Sequence, residues 1–239
     1  GAVDALLASE EVDGVSFVGS SPVAKYVYEE AGKTGKRAQC LGGAKNFLVV
    51  MPDAKLEDTV EAVLTSCLGC AGERCLAGSV ILGVGDIYEP LRDKLVDAAS
   101  GMIIGDGLNE GVQMGPVISE PHLERVHGYI DKGLREGAIL LLDGRGVQVE
   151  GNPGGYFVGP TIFEDVQPEA AIANEEIFGP LVSMIRVDDL DRAIDIIRAN
   201  NFGNTTSIFT SSGKAAREFK YRVECSMIGI NVGVAAPMA

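Results

Sequence analysis

Short apolar segments alternate with amphipathic segments along most of the chain. The run VSFV (15–18) has the length and β-branched content of a strand, and GSSP and then a helical pattern follow it directly. Ser20 or Ser21 can cap this helix, and Pro22 suits its first turn. Backbone N–H groups at such a helix start attract anions, phosphates included, although an ordinary capped helix explains the same pattern.

The next segment, KRAQCLGGAKNFLVVM (36–51), is predicted to form two extended pieces that flank Gly42 and Gly43. Paired glycines between strands usually mark a bend, and they also let a ligand approach the backbone. A helix is predicted from the following residues, with Asp53 as its cap and a frayed end at 69–72. Its apolar face is expected to consist of Val60, Val63, Leu64, Cys67 and Leu68.

The rest of the chain continues the alternation of strands and helices. Such alternation is typical of an α/β fold with a largely parallel sheet. The predicted strands are 79–84, a buried strand at 138–144, then 161–166, 181–187, 206–210 and 227–232, and the predicted helices are 88–99, 122–137, 190–201 and 214–224, with a glycine-rich loop at 144–160.

Composition and charge exclude several classes of function. The 239 residues carry 34 acidic against 20 basic side chains, a net charge of −14, and we find no basic stripe of the kind that nucleic acid requires. The apolar runs are too short to span a membrane. The N-terminal residues show no secretory signal, so we expect a protein of a bacterial cytoplasm or a mitochondrial matrix, not a secreted one.

Three of the five cysteines lie within CLGCAGERC (67–75). A zinc or iron–sulfur site usually needs four ligands, and neither Cys40 nor Cys225 belongs to a second closely spaced pair. A redox pair would sit at a helix start, whereas Cys67 and Cys70 fall at a predicted helix end. We therefore expect no metal site here, and expect Cys67 to pack in the core.

Cys75 differs from the other cysteines because it follows a loop of small residues, AGER. Small residues leave space for a substrate, and the neighbouring Arg74 supplies a positive charge that favours a thiolate. These features indicate a candidate nucleophile. A structural ion pair at Arg74 is the alternative interpretation of the same residue.

Six segments carry a resemblance to a known family. FVGSSPVAKYVYEEAGKTGKRAQCLGGAKN, AGERC, MGPVIS, GYFVGPTIF, EEIFGP and GNTTSIFT occur in this order, almost from end to end. The chain resembles the aldehyde dehydrogenase superfamily and, within it, the CoA-acylating methylmalonate-semialdehyde dehydrogenase branch. The resemblance implies the last strand-helix part of a Rossmann-like NAD domain at 1–41 and an α/β catalytic domain with a mostly parallel sheet at 42–239.

The resemblance also implies roles for individual residues. Cys75 matches the thiolate that attacks an aldehyde carbonyl to give a thiohemiacetal, from whose carbon hydride passes to NAD to leave a thioester. Its own backbone N–H matches one oxyanion donor. Glu176 matches the acid that accepts hydrogen bonds from the nicotinamide ribose, and Phe178 matches the ring near the nicotinamide. The other cofactor contacts are expected at Gly19, Ser20, Leu41 and Gly42, with Ser20 at the pyrophosphate.

Two positions separate the acylating branch from ordinary hydrolytic members. Cys40 is expected at the position of the glutamate that activates water, and its thiol cannot take that role, so coenzyme A becomes the natural acyl acceptor. A neutral packing role is the expectation for Cys40 itself. Arg74 matches the arginine that holds the substrate carboxylate, for which a guanidinium fork is suited.

The chain covers about half of a typical member of this family. We therefore expect a fragment of an enzyme that forms a homo-oligomer when intact, a chain that pairs with a second polypeptide supplying the rest of the NAD domain, or a chain that has lost activity. A non-catalytic scaffold that retains the catalytic-domain fold is the alternative to an enzyme of small aldehydes. The motifs do not separate malonate semialdehyde from methylmalonate semialdehyde.

Overall fold

The structure is a computed structural model that describes residues 1–234. The chain divides into two compact units, of which the first is Gly1–Gly43 and the second begins at Ala44. This division falls two residues beyond the boundary expected after residue 41. The assignment of the two units to an NAD domain and a catalytic domain stays a prediction.

The first unit pairs two parallel strands with two helices. Phe17 of the first strand lies opposite Cys40 of the second. Leu7, Val27 and Ala31 form its small buried core, against which the half-buried Cys40 packs, as expected. The first helix was not predicted from the sequence. The elements are α1 (Ala2–Ala8), β1 (Gly14–Val18), α2 (Ser21–Lys33) and β2 (Arg37–Leu41).

The second unit is built on a seven-stranded sheet with the strand order β5-β6-β7-β4-β3-β8-β9. Every neighbouring pair is parallel except β5 and β6. The predicted α/β class with a mostly parallel sheet is confirmed. The strands are β3 (Asn46–Val50), β4 (Gly78–Val84), β5 (Ile139–Leu142), β6 (Thr161–Glu164), β7 (Leu181–Val187), β8 (Thr205–Phe209) and β9 (Met227–Ile230).

Helices join the parallel strands, as parallel connections require. They are α3 (Leu56–Leu68), α4 (Tyr88–Ser100), α5 (Glu120–Arg135), α6 (Ala171–Asn174), α7 (Leu190–Ala199) and α8 (Gly213–Arg222), with short 3₁₀ turns at Gly69–Gly72 and Gly85–Ile87. No helix within residues 1–234 is both long enough and apolar enough to cross a membrane.

The core lies on both sides of the central strands. All five residues of β3 are buried, which is the pattern of a strand covered on both faces. Val63 and Leu68 of α3 and Leu91 and Leu95 of α4 are buried in the same cluster. The predicted apolar face of α3 is thus correct, apart from Leu64, which is only partly buried.

The start of α3 differs from the expectation. The helix begins at Leu56 with Lys55 at the N-cap position, so Asp53 does not cap it. The Asp53 carboxylate instead accepts a hydrogen bond of 2.8 Å from the Thr210 hydroxyl. A contact between distant parts of the chain has outweighed a local capping preference.

A strand forms within the predicted segment 138–144, but the prediction that this strand is buried is wrong. β5 is the edge strand of the sheet and runs antiparallel to β6. Ile139 is exposed, and the other three residues of β5 are only partly buried. A continuous apolar run is equally compatible with an edge position, because periodicity alone does not report how many neighbours a strand has.

Candidate active site

A strained turn after α3 sets the position of the candidate nucleophile. Cys70 and Ala71 adopt left-handed backbone angles with φ of 53° and 52°, and Gly72 follows with φ of 70°. Gly72 packs so closely against the backbone carbonyl of Gly179 that a Cβ atom would overlap it. The turn therefore brings the segment before Cys75 against the loop that follows α6.

The cysteines of the cluster have different environments. Cys67 is buried, and burial raises the pKa of its thiol to about 12, in agreement with the predicted packing role. Cys70 and Cys75 are exposed, and all five cysteines are free. Only Cys75 lines the cavity that also contains Glu176 and Phe178. Within residues 1–234 no group of three or more His, Cys, Asp or Glu side chains is arranged to hold a metal ion.

The backbone of Cys75 is held by two side-chain amides. Asn46 at the start of β3 and Asn204 just before β8 each donate to the Cys75 carbonyl at 2.9 Å. Asn46 also donates to the Ala77 carbonyl at 2.8 Å and accepts from the Thr205 N–H at 3.3 Å. The Cys75 N–H donates to no acceptor within residues 1–234, so it is available as an oxyanion donor.

Glu176 faces the same cavity from the loop after α6. One oxygen of its carboxylate accepts a hydrogen bond of 2.9 Å from the Ala44 N–H. The second oxygen takes no hydrogen bond from residues 1–234, so it can accept one from a ligand. The guanidinium of Arg125 donates to the Glu176 carbonyl at 2.7 Å and fixes the backbone of this residue.

Side chains on one face of α5 form hydrogen bonds to the loop that carries Glu176 and Phe178. Lys132 and Tyr129 donate hydrogen bonds of 2.8 and 2.7 Å to the carboxylate of Glu175. These two hydrogen bonds lower the pKa of Glu175, and the bond from Lys132 has the larger effect. The ring Nε2 of His122 donates to the Phe178 carbonyl at 2.6 Å. These helix residues, with Arg125, are three or four apart, which places them on one side of the helix.

Phe178 has an unusual backbone for a bulky residue, with φ of 63°. Its side chain is 39% exposed, and the His122 ring meets it edge-on at 6.4 Å between centroids. His122 also lies 3.3 Å from the Glu73 carboxylate, which belongs to the AGER segment. The exposed ring is thus presented by a fixed backbone, as a flat surface beside the cavity.

Arg74 lines the Cys75 cavity, but its guanidinium is already engaged. One terminal nitrogen donates to the backbone carbonyls of Thr65 and Ser66 at the end of α3, the second at 3.2 Å. The buried Nε–H finds no acceptor within residues 1–234. The expected fork on a substrate carboxylate stays a prediction.

Lys45 is the unexpected member of the cavity lining. Its side chain is 2% exposed, and its amine has no hydrogen-bond partner within residues 1–234. Burial lowers the pKa of this amine to about 7, while the charges of Glu176, Glu175 and Cys67 act in the opposite direction. A buried amine without a partner is rare in proteins and often marks a functional group.

The remaining predicted cofactor residues lie together in the first unit. The Gly19 N–H donates to the Leu41 carbonyl at 3.1 Å. Ser20 is the N-cap residue of α2, and its side chain makes no capping hydrogen bond. Ser21 accepts from the Gly43 N–H at 3.0 Å and lies where a Cβ of Gly42 would be. Gly42 therefore allows a close approach of two backbones at the start of α2.

Several residues of the site were not anticipated from the sequence. Lys45 and Asn46 stand within the quoted motif GGAKN, and Asn204 stands within GNTTSIFT, so the motifs themselves contained the signal. The α5 residues His122, Arg125, Tyr129 and Lys132 carried the helical spacing of a shared face. The sequence around each of these residues does not predict which residue it contacts in the site.

Sequence comparison places the chain among known proteins. The family model described as "Aldehyde dehydrogenase family" matches residues 1–239. The chain is 48% identical over 237 residues to malonate-semialdehyde dehydrogenase 2 of Geobacillus thermodenitrificans, covering 99% of this chain and 49% of the relative. It is 46% identical to malonate-semialdehyde dehydrogenase of Halalkalibacterium halodurans, and the match covers 99% of this chain and 48% of that relative. The chain thus spans about half the length of the curated relatives it matches.

Solved structures give the same result. Methylmalonate-semialdehyde dehydrogenase from Oceanimonas doudoroffii superposes with a TM-score of 0.97 at 44% identity, covering 100% of this chain and 49% of that one. A structure from Sinorhizobium meliloti, described as a methylmalonate-semialdehyde dehydrogenase complexed with NAD, gives a TM-score of 0.98 at 42% identity, with coverage of 100% and 49%. These relatives are bacterial proteins, which gives the expected mitochondrial matrix no support.

Proposed function

Because the chain belongs to the aldehyde dehydrogenase family, we propose that the intact protein oxidises a short aldehyde carrying a carboxylate and transfers the acyl group to coenzyme A. NAD is the proposed hydride acceptor, and Cys75 is the proposed nucleophile. The observation that carries the proposal is an exposed cysteine, held by its backbone, in one cavity with Glu176 and Phe178.

The residues of the second unit suit the proposed chemistry of Cys75. Its sulfur attacks the aldehyde carbon, and its N–H, which has no acceptor within residues 1–234, would bind the developing oxyanion. NAD, when bound, supplies the site for the departing hydride. Loss of hydride leaves a thioester on Cys75, and a thiol acceptor then takes the acyl group and frees the cysteine sulfur.

Each unit, taken by itself, has residues of the kind that bind part of the proposed cofactor. In the first unit, Ser20 stands at the start of the thirteen-residue helix α2 without capping it, which leaves N–H groups and a hydroxyl for phosphate oxygens. In the second unit, the open carboxylate oxygen of Glu176 suits a ribose hydroxyl, and the exposed Phe178 ring suits a flat heterocycle. The Sinorhizobium meliloti relative was solved in complex with NAD.

The proposed substrates are malonate semialdehyde and methylmalonate semialdehyde. Relatives of this chain bear both names, and each compound places a carboxylate near the reacting aldehyde. Arg74 lines the cavity of Cys75, and its guanidinium is a cationic group that would hold that carboxylate. A homo-oligomer is also part of the proposal, and light scattering of the intact protein tests it.

Steady-state kinetics of the intact protein test the proposed function. The protein is mixed with malonate semialdehyde, NAD and coenzyme A, and NADH absorbance is followed. We expect turnover that depends on coenzyme A and is abolished in Cys75→Ala but retained in Cys70→Ser, since Cys70 is also exposed and is not among the residues that line the cavity. Equally fast turnover without coenzyme A would refute the acylating step, and full activity of Cys75→Ala would refute the enzyme.

A further inference from the structure

The buried amine of Lys45 has no role in the chemistry described so far. Lys45 lines one cavity with Cys75 and Glu176, and no residue within 1–234 accepts a hydrogen bond from its amine. The cavity has room for about one water molecule, ≈ 20 Å³. Because Lys45 and Cys75 both line this small space, their side chains are candidates for exchange of a proton, directly or through one water.

A proton must be removed when the acyl group leaves Cys75. The incoming thiol carries a proton on sulfur, and only its thiolate is an effective nucleophile. Glu176 does not suit this task, because one of its carboxylate oxygens is bound to the Ala44 N–H and the other is the group proposed for a ribose hydroxyl. The cavity therefore offers the Lys45 amine as its uncommitted proton acceptor.

We propose that the Lys45 amine is the general base that takes the proton of the incoming thiol during acyl transfer from Cys75. The thiol S–H bond breaks toward the amine, the new sulfur–carbon bond forms at the thioester carbonyl, and the bond between that carbon and Cys75 Sγ breaks. Cys75 leaves as a thiolate, Lys45 is left as an ammonium, and nothing is oxidised or reduced. The inference rests on the proposed function, since it requires the Cys75 thioester.

The surroundings of Lys45 suit a base at neutral pH. Burial lowers the pKa of the amine from its usual range to about 7, which favours the neutral form that a base requires. The negative charges of Glu176 and Glu175 act on the amine, with Cys67 as the smallest influence, and they keep its pKa from falling further. General bases are most effective when their pKa lies near the working pH.

Rapid-mixing kinetics separate the two halves of the reaction. The intact protein first receives aldehyde and NAD, which gives a burst of NADH as the thioester forms, and then receives coenzyme A. In Lys45→Met we expect a burst close to that of the unsubstituted protein, followed by acyl transfer slower by about 100-fold or more. Lys45→Arg is expected to be equally slow, because a guanidinium remains protonated. Lys214→Met, at an exposed lysine, is the matched control.

A pre-ionised acceptor provides the second measurement. An aromatic thiol of low pKa is already a thiolate at pH 7 and needs no base, so it should transfer the acyl group at similar rates in Lys45→Met and the unsubstituted protein. With coenzyme A, acyl transfer in the unsubstituted protein should rise with pH through about 7, and this inflection should vanish in Lys45→Met. The burst itself shows that the variant is folded.

The results of these experiments distinguish a failure of the role of Lys45 from a failure of the proposed function. Acyl transfer to coenzyme A within threefold of normal in Lys45→Met would overturn the role of Lys45, and so would full activity of Lys45→Arg or an equal defect with the aromatic thiol. Absence of any NADH burst in the unsubstituted protein would overturn the proposed function instead.

Discussion

The side-chain amide of Asn204 donates a hydrogen bond of 2.9 Å to the backbone carbonyl of Cys75, across 129 residues of sequence. Asn46 binds the same carbonyl from the neighbouring strand. A carbonyl held by two donors fixes the peptide plane that follows Cys75. The candidate nucleophile is thus positioned by the starts of β3 and β8, which belong to the sheet, although it stands in a turn.

The first prediction concerns this carbonyl. Asn204→Asp keeps the size of the side chain but replaces the donating amide by an accepting carboxylate. We expect turnover and the rate of Cys75 alkylation by iodoacetamide to fall by about tenfold, the equivalent of roughly one hydrogen bond. Asn201→Asp, in the same loop and exposed, is the control and should leave both rates unchanged. Unchanged rates in Asn204→Asp would show that Asn46 alone suffices.

The second prediction concerns the helix that fastens the Glu176 loop. Arg125→Met removes the donor to the Glu176 carbonyl, so the backbone of that residue is less fixed and its carboxylate is held by the Ala44 N–H alone. We expect the KM for NAD to rise by about tenfold, because hydrogen bonds to charged groups contribute about 1.5–3 kcal/mol. Alkylation of Cys75 should change little, since its own contacts remain. Arg135→Met, at the end of the same helix, should leave the KM for NAD unchanged; an equal rise there would point to a general loss of helix stability.

The third prediction compares two glycines. Gly72 has a left-handed backbone and contacts Gly179, so Gly72→Ala should lower the free energy of unfolding by about 1–3 kcal/mol and reduce turnover. Gly128 lies in the interior of α5 with open space around it, and Gly128→Ala should raise the free energy of unfolding by about 0.5–1 kcal/mol. Urea unfolding measures both. A stable, active Gly72→Ala would show that the turn has room to adjust.

The fourth prediction uses the stability contribution of Lys45. Its pKa is about 7 in the folded protein and about 10.4 in an unfolded chain. Between these values the unfolded state binds more protons, so the contribution of Lys45 to stability rises with pH in this range and is most unfavourable below pH 7.

Lys45→Met should therefore raise the free energy of unfolding at pH 7 by about 1–4 kcal/mol, the range found when buried charges are replaced by apolar side chains. The gain should shrink between pH 7 and pH 9. Urea unfolding at the two pH values checks this, with Lys214→Met as the exposed control. A destabilised Lys45→Met at pH 7 would indicate that the amine has a partner in the folded protein.

The elements with strong periodicity could be predicted closely from the sequence. β7 covers Leu181–Val187 in both prediction and structure, and α4 differs by one residue at its end. Asp53 shows where local rules fail, because a distant hydroxyl at Thr210 replaced its capping role. Capping preferences amount to about 1 kcal/mol and are easily outweighed by tertiary contacts.

The residues of the candidate site also fall into those that could be predicted from the sequence and those that could not. Cys75, Arg74, Glu176 and Phe178 were expected from the motifs, and the structure places them around one cavity. Asn204 could not be predicted as a contact of Cys75, because no local pattern reports a hydrogen bond between residues so far apart in the chain. The unpartnered state of the Lys45 amine depends on every neighbour of that side chain, so it becomes visible only in the folded protein.

Mass spectrometry of the trapped acyl-enzyme tests the role of Cys75 most directly. The intact protein is mixed with malonate semialdehyde and NAD, without coenzyme A, then quenched in acid and digested. We expect an acyl group on the peptide that contains Cys75, absent when NAD is omitted and removed when coenzyme A is added before the quench. Stoichiometric NADH with no acyl group on Cys75, or with the acyl group on another residue, would contradict a thioester at this cysteine.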